Sequence, residues 1–194
     1  MIRPSFAGAS LPGACLAAAC AVLLTTSPAP AAQEHLRLTA GNMLAQTHSQ
    51  AVILDITGTY RKLSGRLDFD LAAKTCTIDV TFDVGSLSLP LIARGQVMSK
   101  GFLDPAQYPT THYRGTCTDG GTRLDGRLTM RGETHPFAMK LSYVHAGGHV
   151  VQIDAAGSLD RYDWGLNGLK MLVGRTITVT NAISLTGRPP HPAR

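Results

Sequence analysis

His145 and His149, in the stretch HAGGH, are the pair of residues in this chain best spaced to share a cation. Neutral imidazoles are good ligands for zinc and related metals. They flank a Gly-Gly pair that reads as a hairpin turn, with no third ligand beside them, so the stretch predicts a polar turn and no metal site. His112 and Arg114 alternate with Thr111 and Tyr113, which places them on the solvent face of a strand. Arg161, in LDRYDWGL shortly before the single tryptophan Trp164, leaves two readings open. Either it stands at the mouth of a cavity to meet an anionic or polar head group, or it ties down its own loop through Asp160 or Asp163.

Signatures of catalysis are missing. The sequence contains no G-x-S-x-G elbow, no G-x-x-x-x-G-K-[ST] phosphate loop, no G-x-G-x-x-G and no H-E-x-x-H helix. No catalytic step and no cofactor is expected, and the competing reading is an enzyme or metal protein built on His145, His149 or His112. Cys76 and Cys117 carry chemistry of another kind. If their strands pair antiparallel with 78 opposite 115, 80 opposite 113 and 82 opposite 111, the two cysteines face each other beside Ile78, Val80 and Tyr113. In an oxidising compartment this predicts one disulfide.

The compartment is read from the first 32 residues. Arg3 is their only charge, and an apolar run from Leu11 to Leu24 leads into SPAPAAQ. That pattern predicts a secretory signal peptide over 1–32 and a periplasmic or secreted mature protein. The run is shorter than the roughly 18 apolar residues that a membrane helix needs. The whole chain carries 18 basic and 13 acidic residues, a net +5. These charges are scattered, with no basic run or aromatic-basic cluster, which argues against nucleic-acid binding and leaves a transient membrane-surface contact open. Nothing in the sequence speaks to oligomeric state.

The elements that would hold these residues are short strands. From Leu36 to Leu185 apolar and polar residues alternate between Gly, Asp, Asn and Pro punctuation. In CTIDVTFDVGSL the residues Ile78, Val80, Phe82 and Val84 share a face. Leu124, Leu128 and Met130 do so in the next segment, followed, after a turn expected at RGETHP, by Phe137, Met139, Leu141 and Tyr143. Ile153 and Ala155 mark another strand, and Ile177, Val179 and Ile183 the last. About eight strands are expected, the usual number for a small closed barrel, although periodicity also allows a sandwich. A helix is expected around PLIARGQVMSKGFL. One β domain is expected over 33–187, with 188–194 as a disordered tail.

Together these segments resemble the YceI-like family of exported polyisoprenoid-binding proteins. GTYRKLSGRLDFD, IDVTFDVGSL, GFLDPAQYPTTHYRGT, LDGRLTMRGETHPFAMKLSY and GSLDRYDWGL followed by LVGRTITVT resemble the family's segments in the same order. The resemblance implies an all-β fold, an extended eight-stranded antiparallel barrel, lipocalin-like, with a short helical lid. Its lumen would hold a hydrophobic isoprenoid lipid, either a polyisoprenoid or an isoprenoid quinone. Ile78, Val80, Phe82, Val84, Tyr113, Leu128, Met130, Phe137, Met139 and Trp164 would wall the lumen, and Phe102 and Leu103 would close one end. Arg161 and Asn181 are the head-group candidates. Two departures stand out. Gln96 and Met98 sit where the family carries His and Arg, and Thr111 and Asn181 sit where it carries large aliphatics, which predicts a lumen more polar or differently filled. Without the resemblance, the same apolar face reads first as an ordinary filled core, that of a packed structural or stress module with no ligand.

Overall fold

Strands with one dry face must hide it by stacking two sheets or by curling one sheet shut. Here a single sheet curls. The computed structural model describes residues 33–51, 55–168 and 173–193, and the expected leader over 1–32 lies outside the described residues. In chain order the strands are β1 (Glu34–Thr39), β2 (Met43–Ala51), β3 (Ile56–Tyr60), β4 (Leu63–Asp70), β5 (Thr75–Asp83) and β6 (Leu87–Ser88). After the helix α1 (Leu91–Val97) come β7 (Thr110–Thr118), β8 (Arg123–Met130), β9 (Glu133–Ala146), β10 (His149–Asp160) and β11 (Val173–Ser184).

These are eleven hydrogen-bonded segments where eight strands were expected. Register explains the difference. β3 and β4 form one bent stretch, whose first half pairs with β2 and whose second half pairs with β1. The opposite edge of that stretch takes β6 and then β5. β1 with β2, β3 with β4, and β5 with β6 are thus three long strands, each interrupted once. Asn42 makes the first break: its side chain accepts from Thr39 N at 2.8 Å and donates to Arg37 O at 2.8 Å. Asp83 makes another by accepting from Ser86 N at 3.2 Å across a 3-10 turn, Val84–Ser86. Eight continuous strands remain, and because β11 returns to β2 the antiparallel ladder closes into a barrel.

The cysteine-bearing strands pair as their spacing demands. Ile78 lies opposite Gly115, Val80 opposite Tyr113 and Phe82 opposite Thr111. Cys76 and Cys117 are disulfide-bonded across that ladder, with Cα atoms 4.9 Å apart. The 41-residue separation is large enough for loop closure to contribute about 4 kcal/mol in the chain-entropy model. The β8–β9 connection is shorter than expected: Arg131 and Gly132 alone make the turn, with φ of 52° and 78°. Positive φ at both positions is what a two-residue hairpin requires, so Glu133 to Pro136 already belong to β9.

The helix is also shorter than PLIARGQVMSKGFL, ending at Val97, and the chain then continues in turns. The C-terminal segment expected to be loose is hydrogen-bonded to the barrel wall. Gln152 Oε1 accepts from His191 N at 2.9 Å, and its Nε2 donates to His191 O at 3.1 Å.

Candidate ligand-binding lumen

Every second residue of each long strand points into the barrel, and the interior they enclose is not filled. A cavity of about 120 Å³ runs through it, well above the roughly 10–15 Å³ that admits a single water. Of the residues expected to wall the lumen, Ile78, Val80, Phe82, Tyr113, Leu128, Met130, Phe137 and Met139 line this cavity. All eight are buried. Space for the Tyr113 ring is made by glycine. A Cβ on Gly126 would meet the Tyr113 hydroxyl at 2.6 Å, so only Gly lets the ring lie flat there and donate to Phe137 O at 3.2 Å.

One end of the lumen is capped by the segment after α1. Phe102 and Leu103 line the cavity from this cap, held by Phe102 N donating to Ser99 O and Leu103 N to Val97 O. Arg131 locks the cap to the neighbouring 161–168 loop: its Nη2 donates to Lys100 O at 3.2 Å and its Nη1 to Gly165 O at 2.9 Å. Sequence spacing gave no signal for this role. Gln96 is exposed and Met98 half-buried, and neither lines the cavity. At the opposite end lie Asp70, Lys74 and the disulfide. Asp70 is occupied in its own turn, accepting from Ala72 N and Ala73 N, while Lys74 is exposed.

Two expected wall residues lie elsewhere. Val84 is buried in the 3-10 turn that interrupts its strand, and does not line the cavity. Trp164 is buried but sits behind the wall, its indole donating to Leu128 O at 3.1 Å and its ring meeting His135 edge-on at 5.1 Å. The alternation rule placed Val84 inward because it assumes an unbroken strand, and Trp164 lies in a loop where no such rule holds.

Arg161 resolves toward its structural role, by a route neither reading named. It is completely buried, and its guanidinium donates to the carbonyl oxygens of Gly174 (2.9 Å), Gly168 (2.7 Å), Val173 (3.1 Å) and Leu166. Its Cζ also lies 4.6 Å from the Tyr162 ring centroid and 5.5 Å from that of Phe102. With its donors spent on backbone, Arg161 is not placed to greet a head group. Asp160 pairs instead with Arg175.

Asn181 does line the cavity, as do Thr111, Thr47 and Ser49. Tyr60, Leu67 and Phe69 line it too and were not singled out from sequence, although alternation in GTY and GRLDFD carried the signal. Burial pushes the Tyr60 phenol up to about 12, so it stays neutral.

The histidines stand outside the lumen. His112 Nε2 meets Asp79 Oδ1 at 2.7 Å, and Arg114 Nε meets Asp79 Oδ2 at 2.9 Å, so that both partners hold this carboxyl below its usual range. His145 and His149 are exposed at the Gly147–Gly148 turn. Among the described residues no group of three or more His, Cys, Asp or Glu could hold a metal.

A model of the YceI-like domain matches residues 33–185 of the chain. No curated protein matches it. Among solved structures, a polyisoprenoid binding domain from Saccharophagus degradans, implicated in plant cell wall breakdown, is similar with a TM-score of 0.53 and 12% identity over 79% of this chain and 99% of that one. A mutant CJ YCEI protein with a monobromobimane guest is similar with a TM-score of 0.53 and 16% identity over 71% of this chain and 84% of that one. At these identities the likeness is one of fold.

Proposed function

The chain belongs to the YceI-like domain family, and on that premise we propose that it binds or carries an isoprenoid-type lipid inside the barrel, in the periplasm or outside the cell, with no catalytic step. The observation that carries this reading is the cavity itself: enclosed by the barrel, walled mainly by aliphatic and aromatic side chains, and capped at one end by Phe102 and Leu103. A strand of nine residues such as β7 is roughly 30 Å long. A barrel of strands that long has a lumen deeper than it is wide, which suits an extended chain better than a compact ligand. Binding would come chiefly from removing the chain from water, worth about 25 cal/mol per Å². One fold neighbour is described as a polyisoprenoid binding domain, which supports an isoprenoid as the chain. Protein purified from its own host under native conditions is expected to carry an additional apolar mass by native mass spectrometry. Protein that consistently flies at its bare mass would count against the reading.

A lipid carrier must also collect its cargo, and α1 offers a place for it. Leu91 is 92% exposed and Ile92 74% exposed, beside Leu89, which lines the cavity. Arg94 on the same helix donates to Leu87 O, and exposed Arg61 and Lys62 stand against Ser86 nearby. This combination of aliphatic tips and basic flanks suits an anionic bilayer surface. Changing Leu91→Asp together with Ile92→Asp is expected to reduce co-sedimentation with phosphatidylglycerol vesicles by about tenfold or more, since each buried aliphatic is worth about 1.5–3 kcal/mol. Sedimentation equal to that of the unaltered protein would remove α1 from the loading step.

A further inference from the structure

The lumen wall holds a polar atom that nothing in the protein satisfies. Asn181 is 6% exposed and lines the cavity, and its Oδ1 has no hydrogen-bond partner. Its amide nitrogen donates to Met139 Sδ at 3.4 Å. Asn181 lies between Ala45 of β2 and Ala155 of β10 in the ladder, neither of which offers a side-chain donor. Thr111, 5% exposed and also lining the cavity, shares a side-chain hydrogen bond with Tyr60, so its hydroxyl is not left open in the same way. A buried acceptor left unpaired is costly, and native proteins seldom keep one without a use.

From this atom we infer that the lipid bound in this lumen carries a hydroxyl group inside the barrel, donated to Asn181 Oδ1. The inference rests on the lipid-binding reading above and narrows the ligand class to an isoprenoid alcohol. Charge argues for a neutral group. Among the described residues the charged ones lining the cavity are Asp70 and Lys74, at the end away from the Phe102–Leu103 cap, and Arg161 is engaged with backbone carbonyls. A phosphate at the level of Asn181 would stand unpaired in an apolar enclosure. A carbonyl or quinone oxygen fails for another reason, because it can only accept and so leaves Asn181 Oδ1 unsatisfied. A hydroxyl donates to the amide oxygen and so leaves no buried acceptor unpaired.

The test compares three molecules with the same C20 isoprenoid chain: the alcohol, the hydrocarbon with a methyl group in place of the hydroxymethyl, and the diphosphate. Dissociation constants are measured on the full mature protein after delipidation. The alcohol is expected to bind at least about tenfold tighter than the hydrocarbon, the size of one buried hydrogen bond no longer left unmade. Asn181→Leu, with the same branched shape but no polar atom, is expected to erase that ratio while still binding the hydrocarbon. Equal affinity of the unaltered protein for alcohol and hydrocarbon overturns the hydroxyl while leaving lipid binding intact, with water as the partner of Asn181. Tighter binding of the diphosphate overturns the neutral group. A ratio that survives in Asn181→Leu overturns the assignment to Asn181. Binding of none of the three overturns the lipid reading and this one with it. The first comparison needs no variant, so a misfolded Asn181→Leu leaves the proposal open to refutation.

Discussion

Arg161→Met is expected to destabilise the protein by about 4 kcal/mol or more, a large part of the roughly 5–15 kcal/mol that keeps a domain folded. The side chain is fully buried, and no water can replace its donors to the carbonyl oxygens of Gly174, Gly168, Val173 and Leu166. Each buried acceptor left open costs about 1–3 kcal/mol. Methionine fills much of the volume and offers no donor. Arg161→Lys should fall between, because an ammonium has three donors on a point where the guanidinium spreads five. Urea denaturation followed by circular dichroism gives the comparison. A variant as stable as the unaltered protein that instead loses its lipid would return Arg161 to the head-group role.

Met130→Lys is expected to empty the lumen. Met130 is 7% exposed at the end of β8 and lines the cavity beneath the cap. A lysine of similar length would bring an ammonium among Leu128, Phe137 and Met139, where a hydrocarbon chain offers it no partner. Affinity for an isoprenoid chain should fall by about a hundredfold or more, equivalent to about 2.7 kcal/mol. The ladder hydrogen bonds of β8 with β7 and β9 do not involve the side chain, and the emptied cavity lets water reach the new charge. The variant should therefore stay rich in β structure. Native mass spectrometry of this variant beside Met139→Leu, a change of similar volume that should keep the lipid, separates expulsion of the ligand from general damage. Retained lipid in Met130→Lys would place the site elsewhere. Outright unfolding would mean that the face is a packed core.

How much of this was legible beforehand differs from residue to residue. The inward faces of β5, β7, β8 and β9 could be read because strand geometry is local: each residue's side alternates with its neighbour's, so Ile78, Val80, Tyr113 and Met139 were placed by parity alone. The pairing of Cys76 with Cys117 followed from the same rule applied to two strands. Parity failed at Val84, where a side chain cap from Asp83 breaks the strand. The eight long strands were counted correctly only as continuous runs, since the breaks near Asn42, Arg61 and Asp83 are made by hydrogen bonds that a pattern of apolar residues does not record.

What the sequence by itself determined was therefore the all-β class, the direction of the wall residues and the cysteine register, all consequences of short-range backbone geometry. The tertiary structure decided the rest. It closed the ladder from β11 to β2, turned Arg161 onto carbonyls around its own loop, gave Arg131 the cap to hold, and left Asn181 Oδ1 without a hydrogen-bond partner in the lumen wall. Each of these depends on which groups meet across the barrel. A polar atom's partner is set by the three-dimensional course of the backbone, and a volume left unfilled belongs to no single residue, so neither is written in the spacing of residues along the chain.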